Sequence, residues 1–245
     1  MKNGAVAICA AWAAAAGAAD AACRGQTKGE AQYAVCEFDP ASDIRLFLND
    51  GNGEPYGDFG PVSAALDAKG EKLVFAMNAG MYARDRSPVG LYVENGEEMK
   101  MLSTKDGPGN FHLKPNGVFW IDDDGAHVAA TGTYAAARKK GMRYATQSGP
   151  MLVIDGALHP RFLVDATSRK RRNGVGVKED GSVVFVLSDT AVTFHEFAGY
   201  FRDDLKTPNA LYLDGAISRL YAPELSRNDP GPAMGPIIGV VGKAE

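Results

Sequence analysis

The chain has 245 residues, 45% hydrophobic and 23% charged, which places it among chains that bury a core and away from the polar, highly charged range that stays disordered. Its 29 Gly and 13 Pro argue for many turns and against a helical bundle. With 26 Lys and Arg against 30 Asp and Glu the net charge is −4, so there is no broad basic field to gather a phosphate backbone, and nucleic acid is not expected as a partner.

The amino terminus reads as an export signal. Lys2 precedes an Ala-dominated apolar run from Ala5 to Ala19, and Ala19-Asp20-Ala21 offers small residues for cleavage. The run is too short to anchor the chain across about 30 Å of hydrocarbon. Asp20 stands where a lipoprotein signal carries an aliphatic residue, which favours a soluble product although Cys23 follows. The expected organisation is a signal peptide over 1–21 and one domain over 22–245, periplasmic or secreted, monomeric, with no membrane attachment after cleavage. Cleavage removes Cys9 and leaves an even pair, Cys23 and Cys36. In an oxidising compartment these two can close a loop worth roughly 3 kcal/mol in the chain-entropy model. Neither has a second Cys or His at ligand spacing, so no metal is expected there.

Short apolar runs follow at Tyr33–Phe38, Ile44–Leu48, Leu73–Met77, Leu91–Val93, Val118–Ile121, His127–Ala130, Met151–Ile154, Val175–Val177, Val183–Leu187, Ala210–Leu213 and Ile237–Val241, and most read as strands. Asn95-Gly96, Asp124-Gly125, Asp155-Gly156 and Asp180-Gly181 lie between successive runs and accept the positive φ of tight hairpins, which predicts antiparallel pairing. Helices are predicted over Val62–Ala68, Tyr134–Lys140 and Phe194–Leu205. In the last, Phe194, Phe197, Ala198, Phe201 and Leu205 share one face, and Thr193-Phe194-His195-Glu196 matches a capping box, which makes Glu196 a cap rather than an acid catalyst. The fold class is α+β: a single domain of mixed, mainly antiparallel sheet with a few packed helices.

The common catalytic signatures are missing: no Gly-x-Ser-x-Gly elbow, no Walker loop, no His-Glu-x-x-His and no dinucleotide fingerprint. His112, His127, His159 and His195 share no spacing, and neither a metal nor a cofactor is expected. What remains is polar residues at the ends of apolar strands. Asn78-Ala79-Gly80-Met81-Tyr82 follows one strand, Pro115-Asn116-Gly117 leads into another, and Gln147-Ser148-Gly149-Pro150 leads into a third. Amides beside Gly suit the close approach of a hydroxylated ligand, and they suit strand-end turns equally well. Arg172, the last of four consecutive cations, precedes Asn173-Gly174 at a strand entrance, where its guanidinium fork could grip a phosphate. Asp214 sits at the exit of the apolar run Ala210–Leu213, where a rigid strand can aim an acid into a cleft, or where Asp-Gly could make a fifth turn.

Taken in order, the segments Asn78-Ala-Gly-Met-Tyr82, Asn116-Gly-Val-Phe119, Gln147-Ser-Gly-Pro150, Arg172-Asn-Gly-Val-Gly176, Ser188-Asp189, Thr193-x-x-Glu-Phe-Ala198 and Leu213-Asp-Gly-x-x-Ser218 resemble the phosphodiester glycosidase family, in particular a bacterial exported branch. That family includes the enzyme that uncovers mannose 6-phosphate by removing N-acetylglucosamine from a phosphodiester. Ala79, Ala216 and Ile217 stand where the family often carries Gly. The resemblance implies a hydrolase acting on a glycosyl phosphodiester, small or within envelope or extracellular polysaccharide. It makes Asp214 the main catalytic carboxylate with Asp189 as a partner, and Arg172 the group that neutralises phosphate. Asn78, Tyr82, Asn116, Gln147, Ser148, Asn173 and Ser218 would bind substrate. A non-catalytic phospho-sugar-binding protein on the same fold is the alternative. A phosphodiesterase cutting the P–O bond is a third reading that would call for a metal site.

Overall fold

Hairpins set the architecture. In the computed structural model, which describes residues 22–137 and 141–244, all four predicted Asx-Gly dipeptides close one, and Asn95, Asp155 and the four glycines hold positive φ there. The expected signal and Cys9 lie outside the described residues. In chain order the strands are β1 (Ala22–Lys28), β2 (Ala31–Phe38), β3 (Asp43–Phe47), β4 (Glu71–Asn78), β5 (Tyr92–Glu94), β6 (Glu97–Lys100), β7 (Gly117–Asp122), β8 (Gly125–Ala130), β9 (Tyr144–Ser148), β10 (Met151–Ile154), β11 (Ala157–Leu158), β12 (Asn173–Val177), β13 (Val183–Ser188), β14 (Asn209–Asp214), β15 (Leu220–Ala222), β16 (Arg227–Asn228) and β17 (Ile237–Lys243). The helices are α1 (Phe59–Asp67), α2 (Thr131–Ala136) and α3 (Phe194–Gly199).

The strands form three sheets, ordered β1-β2-β13-β12-β14-β10-β11, β16-β15-β4-β17-β3 and β6-β5-β9-β7-β8. Every ladder among the described residues is antiparallel, as the hairpin chemistry predicts. The sheets meet in one core, where Phe185 of β13 stacks on Phe75 of β4 at 5.0 Å and meets Phe119 of β7 edge-on at 6.3 Å. The three helices cover outer faces. α3 lays Phe197 and Ala198, with Phe201 just beyond, against Tyr33, Val35, Val184 and Tyr212 of the seven-stranded sheet. α1 buries Phe59, Val62 and Leu66 against Leu73 and Ile237 of the second. Cys23 and Cys36 face each other across β1 and β2 and are disulfide-bonded, as the even pair predicts.

The departures are local. The helix predicted from Val62 starts at Phe59, because the Asp58 carboxylate caps it at the Phe59 amide, 2.7 Å away. The helix predicted over Tyr134–Lys140 is found at Thr131–Ala136, with Ala137 already extended. The third helix keeps its capping box, but from Tyr200 to Asp204 it widens into a π-turn closed by Leu205 N on Tyr200 O at 3.1 Å. β1, β6 and β9 are strands that the apolar pattern does not show, since their sequences are largely polar.

Candidate active site

The three sheets converge on the end of β14. Asp214, its last residue, stands opposite Asn173, the first residue of β12, at a point where the register shifts. From there the chain leaves the seven-stranded sheet and enters the second, where Leu220 lies opposite Met77. Asp214-Gly215 therefore opens a crossover between sheets, not a fifth hairpin. Two fully buried amides staple that crossover at both ends. Asn173 Oδ1 accepts the Asp214 amide at 2.7 Å, Asn173 Nδ2 donates to Asn78 Oδ1 at 2.5 Å, and the same Asn78 oxygen accepts the Arg219 amide at 3.1 Å. Ser148, at the end of β9 in the third sheet, donates to the Leu213 carbonyl at 2.7 Å. Arg219 is itself anchored, with its guanidinium on Asp58 Oδ2 at 2.8 Å and on the Asp229 carbonyl at 2.9 Å.

The Asp214 carboxylate is fixed by the backbone that follows it, Oδ1 accepting the amides of Gly215 at 2.6 Å and Ala216 at 2.9 Å. Burial raises its pKa above the ordinary 3.8, and the amides of Gly215, Ala216 and Ile217 pull against that rise. Among the described residues no Lys or Arg pairs with it. Arg172 shows the complementary situation. Its guanidinium lies 3.6 Å over the Phe194 ring and donates to the carbonyls of Val192 at 2.9 Å and Ser168 at 3.2 Å. It is 2% exposed and, among the described residues, has no carboxylate partner. Burial pulls its pKa below the usual guanidinium value.

Tyr212 feels both charges, its ring 5.7 Å from the Arg172 guanidinium. Burial pushes its phenol up to about 12, Arg172 pulls it down and Asp214 adds to the rise, so the hydroxyl stays a hydrogen-bond donor. A Cβ built on Gly215 would overlap that hydroxyl, which is why position 215 takes Gly. The side chain of Asn110 also reaches it. Tyr82 also feels the Asp214 charge, and its phenol is raised by burial first and by Asp214 second. Two buried polar atoms stand without a partner at the crossover, Asn78 Nδ2 and Ser218 Oγ. An isolated buried ion costs several kcal/mol. Here the buried Arg172 and the half-buried Asp214 both lack a counter-charge, and both act on one hydroxyl. An anionic ligand beside Arg172 would supply the missing charge.

The other residues singled out from sequence are placed differently. Gln147 uses both ends of its amide: Oε1 accepts the amides of Leu91 at 3.0 Å and Ser103 at 2.9 Å, and Nε2 donates to Ser103 O at 2.8 Å and Thr131 Oγ1 at 3.1 Å. Asn116 bonds the Phe111 carbonyl at 2.9 Å and accepts Thr131 Oγ1 at 2.8 Å. Neither bonds the Asp214 group. Asp189 is ion-paired with Arg227 at 2.9 Å and Arg171 at 3.5 Å and makes no hydrogen bond to Asp214. A cavity of about 620 Å³ opens at the far end of β12 and β13, lined by Lys178, Asp180 and Arg202, and one of about 380 Å³ opens beside Asn116. Neither is lined by Asp214 or Arg172. Tyr212, Phe194 and Asn110 are the members of the site that strand-end motifs do not reveal. The signal for Tyr212 is its place two residues before Asp214 on one strand.

Residues 71–240 match the phosphodiester glycosidase family. The chain is 36% identical over 178 residues to the uncharacterised protein YigE of Escherichia coli (strain K12), covering 73% of this chain and 69% of YigE. Its fold is similar to the zebrafish N-acetylglucosamine-1-phosphodiester alpha-N-acetylglucosaminidase catalytic domain, solved auto-inhibited by its pro-peptide, with a TM-score of 0.61, 13% identity and coverage of 91% of this chain and 82% of that one. A Burkholderia pseudomallei protein aligns with a TM-score of 0.54 and 13% identity over 86% of this chain and 74% of its own. Sequence match and fold agree with the ordered motifs, and the chain belongs to the phosphodiester glycosidase family.

Proposed function

We propose that the protein is an exported hydrolase that cleaves the bond between the anomeric carbon and the phosphate oxygen of a glycosyl phosphodiester in envelope or extracellular polysaccharide. The observation that carries this reading is the pair of unneutralised charges, the half-buried Asp214 and the buried Arg172, with Tyr212 beside both. A diester phosphate carries one negative charge, which the charge of the Arg172 guanidinium offsets from behind Phe194 and the Tyr212 hydroxyl can meet with a hydrogen bond. Phosphate is a good leaving group, so the departing oxygen needs charge stabilisation more than a proton. Asp214 then serves as the base. It takes a proton from water as the water oxygen bonds to the anomeric carbon, the carbon–oxygen bond to phosphate breaks, and the phosphate ester leaves with the electron pair. The unpartnered Asn78 Nδ2 and Ser218 Oγ are donors for sugar oxygens, and Tyr82 lies within the field of the carboxylate. Export is supported by the sequence of residues 1–21 and by the disulfide between Cys23 and Cys36.

The test is release of N-acetylglucosamine from the methyl diester of its α-1-phosphate. Turnover that yields free sugar and methyl phosphate is expected. Saturable binding of the diester without release of either product would instead make the protein a phospho-sugar-binding relative.

A further inference from the structure

The loop between β11 and β12 runs beside Arg172 and is pinned at both ends. His159 stacks on Phe162 at 4.7 Å, Phe162 stacks on Phe194 at 4.9 Å, the Ser168 carbonyl takes the Arg172 guanidinium, and Lys170 bridges Val192. Between the pins the chain turns, with Ala166 N on Leu163 O at 3.3 Å, and holds out two adjacent aliphatic side chains, Leu163 at 63% and Val164 at 81% exposure. The same loop carries Arg161, Arg169, Lys170, Arg171 and Arg172 against one acid, Asp165, in a chain whose net charge is −4. Arg172 is buried, Arg169 pairs with Glu196 and Arg171 with Asp189. Among the described residues Arg161 and Lys170 have no carboxylate partner.

Exposed aliphatics on a pinned turn gain nothing from water. Two side chains on a convex tip are also far short of the roughly 800 Å² that each partner buries in a stable protein interface. They suit a lipid surface, where a few apolar side chains enter the headgroup boundary and nearby cations are drawn to anionic lipid. We propose that this loop docks the protein peripherally on an anionic phospholipid surface. Among the described residues no helix is long and apolar enough to cross a membrane.

Docking is read without substrate, so its outcome is separate from that of bond cleavage. The full chain carrying Val164→Trp is titrated with vesicles of phosphatidylglycerol and of phosphatidylcholine. In the difference against the unsubstituted chain, which carries Trp12 and Trp120, a blue shift of the new indole's emission with phosphatidylglycerol only, reversed by high salt, is expected. In parallel, the double substitution Leu163→Asp and Val164→Asp lowers sedimentation with phosphatidylglycerol vesicles roughly tenfold relative to the unsubstituted chain, with an unchanged melting temperature. The apolar run at the amino terminus is common to both proteins, so only their difference is read. No indole shift, an equal shift with both lipids, or equal sedimentation of the two proteins would overturn the proposal.

Discussion

Two buried amide networks lie at strand ends and are built from Asn and Gln side chains, yet they differ in what is left over. Around Gln147 and Asn116 both ends of each amide are bonded within the protein, to Leu91, Ser103, Thr131 and Phe111. Around Asn78 and Asn173 the network also fixes backbone, but it leaves Asn78 Nδ2 unpartnered and borders an unpaired carboxylate and an unpaired guanidinium. A saturated network stabilises the fold, whereas one with unmet donors and charges is poised for a ligand. The difference lies in the partners and not in the residue types, which is why sequence motifs rank the two alike.

Substitutions should separate the networks. The largest effect is expected from Asp214→Asn, with turnover of the methyl diester falling about a thousandfold or more. Its melting temperature at neutral pH should equal or exceed that of the unsubstituted protein, because a half-buried, unpaired carboxylate is replaced by a neutral group of the same shape. Gln147→Leu should do the reverse. It strands the amides of Leu91 and Ser103 and should cost about 3 kcal/mol in urea unfolding, with KM and kcat little changed in the fraction that stays folded. Arg172→Lys keeps the charge but loses the fork and the stacking on Phe194, and should lower kcat/KM by roughly tenfold to a hundredfold.

The smallest effect is on pH dependence. Burial raises the Asp214 pKa above 3.8, so the acid limb of kcat/KM should have its midpoint above that value. The sign for stability follows. The folded state holds the Asp214 proton more tightly than the unfolded state, so this residue stabilises the fold at low pH, and that contribution is lost as pH rises through its raised pKa. The stability advantage of Asp214→Asn should accordingly vanish below the ordinary carboxylate range, as measured by melting temperature across pH.

The Asx-Gly turns, the amphipathic face and capping box of α3, and the even cysteine pair are local patterns, and the fold follows them closely. β9 is less legible, because Tyr144–Ser148 is a largely polar run that is buried only through hydrogen bonding in the middle of its sheet. The crossover at Asp214 depends on which sheet β15 joins, a long-range choice that no dipeptide encodes. The convergence of Asn78, Asn173 and Asp214 is legible as three strand ends but not as one network, since Asn78 and Asn173 are 95 residues apart. Phe194 reads as a core residue on the helix face and serves in addition as the platform for Arg172.

The central claim is that the sugar–oxygen bond breaks, with Asp214 activating the water. Hydrolysis of the methyl diester of N-acetylglucosamine α-1-phosphate in water labelled with heavy oxygen tests it directly, by mass spectrometry of both products. The label should appear in the anomeric hydroxyl of the sugar and be absent from methyl phosphate. Label in the phosphate would mean that the phosphorus–oxygen bond breaks, and would contradict the account.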